Sequence, residues 1–194
     1  EALNGQVYRR YEQSEFAPLA ISNTGPNPTE AKLSVTGYPV SPPPETSNGF
    51  TLEREYFLPD GTAVDLSKSI AQNDRLVVVL TMRPHDVGSG QYLLADPLPA
   101  GFEIENPNLS TSDGVGDLSW LELDDPTHVE SRTDQFVAAF RSYSDTRTFT
   151  TAYLVRAVTP GTFVLPGANV EDMYRPEFRA NTASSTLEIT PTGP

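Results

Sequence analysis

Cysteine is absent from all 194 residues. That excludes disulfides, thiolate metal sites and cysteine nucleophiles, and it leaves the compartment open. Histidine occurs twice, at His85 and His128, and lysine twice, at Lys32 and Lys68. No apolar run approaches the ~20 residues that span a bilayer as a helix. Positive charge is also scarce: 26 acidic residues face 13 basic ones, for a net charge of −13. Such a surface repels phosphate backbones, so nucleic acid is not expected as a partner. There is no initiating Met and nothing at the N-terminus that reads as a signal peptide, so an excised piece of a longer chain is expected.

What is present is a strand-favouring, turn-rich composition, with 18 prolines, 13 glycines and 37% hydrophobic residues. Helical periodicity is weak. Leu33, Val35, Gly37 and Tyr38 belong to an extended segment that runs into Pro42-Pro43-Pro44, a semi-rigid polyproline spacer. From Phe50 to Leu58 the residues Phe50, Leu52, Tyr56 and Leu58 share a face, and Pro59-Asp60-Gly61 makes a turn. Arg75 to Met82 is apolar on both faces and predicts a central strand covered by two layers. Phe102–Glu105, Phe136–Arg141, Phe149–Val158 and Ser185–Thr190 are further strands. Leu76, Val78, Leu80, Tyr153, Val155 and Leu187 are the expected core. The stretch from Asn108 to Glu130 breaks this rhythm and predicts a short helix around Leu118 to Leu123. The fold class is therefore all-β, an antiparallel β-sandwich with a short helical insertion.

Convergent catalytic groups are few. His85 and His128 lack the two-histidine spacing of a zinc helix and read as surface-loop residues. Gly88-Ser89-Gly90 is too short for a GxSxG nucleophile elbow. Asp113, Asp117, Asp124 and Asp125 do not reproduce a calcium-loop pattern and read as solvated turn carboxylates. No feature selects a carboxylate pair for sugar hydrolysis, which leaves a glycosidase the weakest reading. Asn108-Leu109-Ser110 matches a glycosylation acceptor by spacing alone. Neither a catalytic residue, a metal nor a cofactor is expected, and the chain is read as not an enzyme.

The stretch Val155 to Glu177 is the most informative. It reads as strand, tight turn at Pro160-Gly161, strand, then an ordered loop after Pro166-Gly167. That loop places Met173 and Tyr174 side by side, just before Arg175-Pro176, where a pre-proline residue is held extended and the loop stiffened. From the residues alone, Tyr174 either packs within the domain or contacts something beyond it.

The run from Val155 to Ala180 resembles the last domain of bacterial alpha-2-macroglobulins, thioester-containing protease traps. Gly49-Phe-Thr-Leu-Glu-Arg54, with Tyr56 and Asp60-Gly61, resembles the opening of that domain. Leu94-Ala-Asp-Pro-Leu-Pro-Ala-Gly-Phe-Glu-Ile-Glu-Asn106 resembles its middle, and His128-Val-Glu-Ser-Arg132 with Phe136-Val-Ala-Ala139 its later strands. The resemblance implies a fibronectin-like, terminal macroglobulin (MG10) β-sandwich over residues 46–194. Residues 1–45 would be the end of a preceding CUB-type segment or a linking strand.

It further implies that Met173 and Tyr174, with Arg175 beside them, contact and shield the thioester domain of the same parent chain. Lacking cysteine, this chain cannot itself hold the thioester. Target proteases would be met through the parent, in the periplasm, with membrane contact only through a lipid anchor elsewhere in the parent. Bacterial defence is the implied role. The paired lysines with which vertebrate homologues present a receptor site have no counterpart here. A stand-alone β-sandwich adhesion module, contacting ligand through Tyr92, Trp120 and Tyr174, is the alternative.

Overall fold

In a computed structural model the chain divides into two units, Glu1–Tyr38 and Pro39–Pro194. The structure describes residues 20–34, 42, 44–85, 87–105, 118–143 and 147–193, and of the first nineteen only the backbone of Ala2–Leu3 and Gln6–Val7. In the first unit those two segments, β1 (Ala2–Leu3) and β2 (Gln6–Val7), form an antiparallel pair. Residues 20–34 are exposed and irregular. Asn23 ties a turn there, accepting from the Gly25 N–H at 2.9 Å and donating to the Asn27 carbonyl at 2.7 Å. Leu33, expected in an extended segment, lies outside any strand. Val35, Gly37, Tyr38 and Pro43 lie outside the described residues.

The second unit carries β3 (Thr46–Asn48), β4 (Phe50–Phe57), β5 (Ile70–Ala71), β6 (Arg75–Pro84) and β7 (Gly90–Pro97). Then come β8 (Phe102–Ile104), β9 (His128–Ser131), β10 (Gln135–Ser142), β11 (Phe149–Ala157) and β12 (Gly161–Leu165). β13 (Asn169–Asp172), β14 (Arg175–Asn181) and β15 (Ser185–Thr190) complete it. One sheet runs β3-β14-β13-β7-β10-β9, a second β4-β6-β11-β8, and a third β12-β15-β5. Every described pairing in this unit is antiparallel except β15 with β5.

The inner faces of the first two sheets meet through aromatic rings. Phe136 of β10 stacks on Tyr153 of β11 with centroids 4.4 Å apart. Tyr92 of β7 meets Phe50 of β4 edge-on at 5.0 Å. Such contacts add to the ordinary gain from apolar burial. The six residues expected in the core are all buried.

β6 is central, as its two apolar faces require. Val77 and Val79 point away from the main core and, with Ala152 and Leu154, form a second apolar layer. Leu118, Trp120 and Leu121 cover it, packed beside Phe57. This corrects the expected helix. Leu118–Leu121 is a single turn, closed by the Leu121 N–H on the Leu118 carbonyl at 2.9 Å, and irregular chain follows. The apolar spacing that suggested a helix belongs to a lid on β6. Gly61, at φ 88°, lets this lid close, because a Cβ there would stand 3.0 Å from the Trp120 ring.

Two readings of the Val155–Glu177 stretch change. Pro160-Gly161 joins strands of different sheets rather than closing a hairpin. The segment expected as a loop after Pro166-Gly167 is a β-hairpin, β13 and β14, with Met173 and Tyr174 as its two-residue tip.

Candidate docking surface

Hairpin tips of two residues favour turns with positive φ, which normally demand Asn or Gly. Neither Met173 nor Tyr174 has positive φ; among the described non-glycine residues only Asn73 does. The mismatch falls instead on a register shift between Glu171 and Asp172, where Asp172 pairs with Arg175. Two bulky side chains thereby occupy the tip. Met173 is 49% exposed and Tyr174 74%.

Asp172 holds the tip in shape. Its side chain is 1% exposed, and its Oδ1 accepts the backbone N–H of Tyr174 at 2.9 Å and of Arg175 at 3.1 Å. An aspartate that accepts from the N–H groups two and three residues on mimics a backbone turn. Its Oδ2 accepts from Arg175 Nε at 3.0 Å and Nη2 at 2.5 Å. Arg175 Nη2 also donates to the Ser89 carbonyl at 3.0 Å, and the guanidinium lies 5.2 Å from the centre of the Phe178 ring. The stiffness read from Arg175-Pro176 therefore has a second source, a charge-assisted clamp between neighbouring strands.

Tyr143 stands at the same end of the sheet. Ser142 pairs with Gly90 at the start of β7, and the Met173 N–H donates to the Gln91 carbonyl on β7's other side. Tyr143, just past β10, is 82% exposed. Nothing in its sequence surroundings singled it out.

The other candidates disperse. His85 Nε2 lies 2.7 Å from Thr51 Oγ1 at an exposed position, and His128 is on the exposed edge strand β9. Ser89 serves through its carbonyl. Asp124 accepts from Arg147 Nη2 at 2.7 Å and from the Thr150 N–H at 2.8 Å, a structural turn partner. Asp125 is exposed, and Asp113, Asp117 and Asn108-Leu109-Ser110 lie outside the described residues. Among the described residues no three His, Asp or Glu side chains converge for a metal. Of the three aromatics offered for an adhesion face, Tyr92 is fully buried. Trp120 is half-buried, with its Nε1 donating to the Pro59 carbonyl at 3.3 Å. Only Tyr174 is free to touch a partner.

Sequence reading missed one polar feature altogether. Arg54 on β4 and Asp96 on β7 both point inward, at positions where period two calls for an apolar residue. Arg54 Nη1 donates to Asp96 Oδ1 at 2.5 Å, and the Tyr153 hydroxyl donates to Asp96 Oδ2 at 2.7 Å. Burial pushes the Asp96 carboxyl up, against the pull of Arg54 and Tyr153. A cleft of about 480 Å³, lined by Arg54, Tyr56, Leu66, Leu165, Thr182 and Ser185, opens beside this pair. With Arg54 already neutralised by Asp96, it offers a ligand no net charge.

Residues 49–177 match the family model for the bacterial alpha-2-macroglobulin MG10 domain. The chain belongs to this family. The chain is 34% identical over 184 residues to the alpha-2-macroglobulin of Escherichia coli K12, a match covering 90% of this chain and 11% of that protein. The chain thus spans about a tenth of the length of the curated relatives it matches first. Escherichia coli alpha-2-macroglobulin activated by porcine elastase matches in structure with a TM-score of 0.68 and 35% identity, over 80% of this chain and 14% of that one. Salmonella alpha-2-macroglobulin reacted with methylamine matches at 0.67 and 38%, over 80% of this chain and 10% of that one.

Proposed function

We propose that this MG10 domain is a non-catalytic, C-terminal part of a bacterial alpha-2-macroglobulin protease trap, docking on the thioester domain of the same parent and shielding the thioester. The supporting observation is the tip itself, two large side chains held outward on a clamped hairpin. A ring 74% exposed in the isolated domain has its apolar face free for another surface. Covering a strained acyl bond with an aromatic excludes water and amines until bait cleavage moves the domains apart. In this reading the parent works in the periplasm, as a defence against foreign proteases, held to the membrane only by a lipid anchor elsewhere in its chain. Residues 46–194 form the terminal domain and residues 1–45 the end of a CUB-type segment or a linking strand.

Methylamine is the probe, a small amine that reacted with the Salmonella relative. In the full-length parent, Tyr174→Gly is expected to raise methylamine uptake and free-thiol release before any proteolysis. The ring makes few core contacts, so folding is expected to survive. Unchanged uptake in a folded variant overturns the reading. So does a wild-type parent that takes up no methylamine even after protease cleavage.

A further inference from the structure

Asp172 is a buried carboxylate spent on an exposed tip. Of the hydrogen bonds it accepts, two fix the backbone of Tyr174 and Arg175 and two fix the Arg175 guanidinium. Its space comes from β7. A Cβ built on Gly90 would lie 2.7 Å from Asp172 Oδ2 and 2.5 Å from the Tyr92 ring, closer than real contacts allow. Gly90 is not in the positive-φ region. Its bare Cα is therefore required by the room the carboxylate and ring occupy. Arg175 closes the other side by donating to the Ser89 carbonyl.

Resting on the shielding reading above, we infer that Asp172, seated against the bare Cα of Gly90, is a positioning residue that fixes the direction in which Tyr174 projects and so sets how well the tip covers its target. Tyr174 supplies the cover, and Asp172, its side chain 1% exposed, acts from within the hairpin. A hairpin freed from the clamp samples several tip orientations, and only one of them closes the site. Leak through a cover rises with the fraction of time spent in the others.

The test uses the uncleaved full-length parent with four proteins: wild type, Tyr174→Gly, Asp172→Ala and the double variant. Methylamine uptake is followed in each, with amide exchange read at Tyr174 and Arg175. Losing charge-assisted hydrogen bonds is expected to raise uptake by about tenfold in Asp172→Ala, and to speed exchange at both amides. If Asp172 acts through Tyr174, adding Asp172→Ala to Tyr174→Gly changes uptake no further.

A normal rate in Asp172→Ala, with Tyr174→Gly fast, overturns the inference and leaves the shielding reading standing. An equal increment in both backgrounds also overturns it, since Asp172 would then merely loosen the domain. Normal rates in both single variants overturn the shielding reading and the inference with it. Should Asp172→Ala not fold, Asp172→Asn replaces it. The amide oxygen still accepts the two turn N–H groups while the Arg175 ion pair is lost, so a rate between wild type and Tyr174→Gly is expected, and a wild-type rate overturns the inference.

Discussion

The domain uses the same chemistry twice, with opposite results. Asp96 and Asp172 both sit on strands of the six-stranded sheet, both side chains are 1% exposed, and both pair with an arginine at 2.5 Å. They differ in the arginine. The Arg54 side chain is 5% exposed and bridges the two sheets, whereas that of Arg175 is 37% exposed and three residues along the same hairpin. The sealed pair joins residues 42 apart and cannot form until the sandwich closes. The open pair forms within its own hairpin and shapes a surface. Burial of the cation, rather than of the anion, is what separates a pair sealed between the sheets from one that sets the aim of a surface side chain.

The largest expected effect comes from breaking the sealed pair. Asp96→Ala strands a guanidinium in the core and leaves the Tyr153 hydroxyl without its acceptor, at a cost of about 3–5 kcal/mol in denaturant unfolding. Replacing both partners, Arg54→Met with Asp96→Leu, is expected to recover most of that loss, because apolar pairs of similar volume often match a buried ion pair. A double variant as unstable as Asp96→Ala would mean that the pair itself stabilises the sandwich.

At the open pair, Asp172→Ala is expected to cost about 1–3 kcal/mol, since water can take over the half-exposed Arg175. Tyr174→Gly is expected to shift stability by only about 0.5 kcal/mol, as surface changes do. Should Asp172→Ala destabilise as much as Asp96→Ala, the distinction between the two pairs fails.

The smallest effect separates a third cluster from both. Glu105 accepts from Arg75 Nε at 2.6 Å and from Arg156. Burial raises its carboxyl, but the hydrogen bonds and charges of the two arginines outweigh that and hold it below its usual value. A depressed carboxylate contributes stability that is present above about pH 4.3 and lost as pH falls through the lowered value. Glu105→Gln is expected to flatten that acid limb slightly, as read by thermal melts between about pH 5 and pH 3. An unchanged pH profile would show that solvent screens this cluster fully.

Strand identity is legible where a continuous apolar run or a period-two face marks it. β6 lies close to its expected bounds because it is apolar on both faces, and β11 and β15 because apolar residues recur with period two on one face. β7, which lies inside the six-stranded sheet, was not read as a strand. Its inward positions are Tyr92, Leu94 and Asp96, and a carboxylate on the apolar face hides the pattern. For the same reason Arg54 dropped out of the face formed by Phe50, Leu52 and Tyr56. β13 and β14 were read as loop because Asn, Glu, Asp, Arg and Pro dominate them, and their strand character comes from pairing with β7 and β3. Of the candidate site, Met173, Tyr174 and Arg175 were visible as neighbours in sequence. Asp172 had a signal, an aspartate two residues before a tip aromatic, but nothing local says that it is buried.

By itself the sequence determined the all-β class, the central strand, most of the core and the family, and through its missing cysteine it determined that no thioester can reside here. The class, the central strand and the core follow from composition and from periodicities carried by adjacent residues, whereas the family follows from longer motifs matched residue by residue. Tertiary structure alone decided that Asp96 meets Arg54, that Leu118–Leu121 is a lid, and that Asp172 rests against Gly90. Period two tells which face a side chain takes, whereas the partner on that face depends on how separate strands come together.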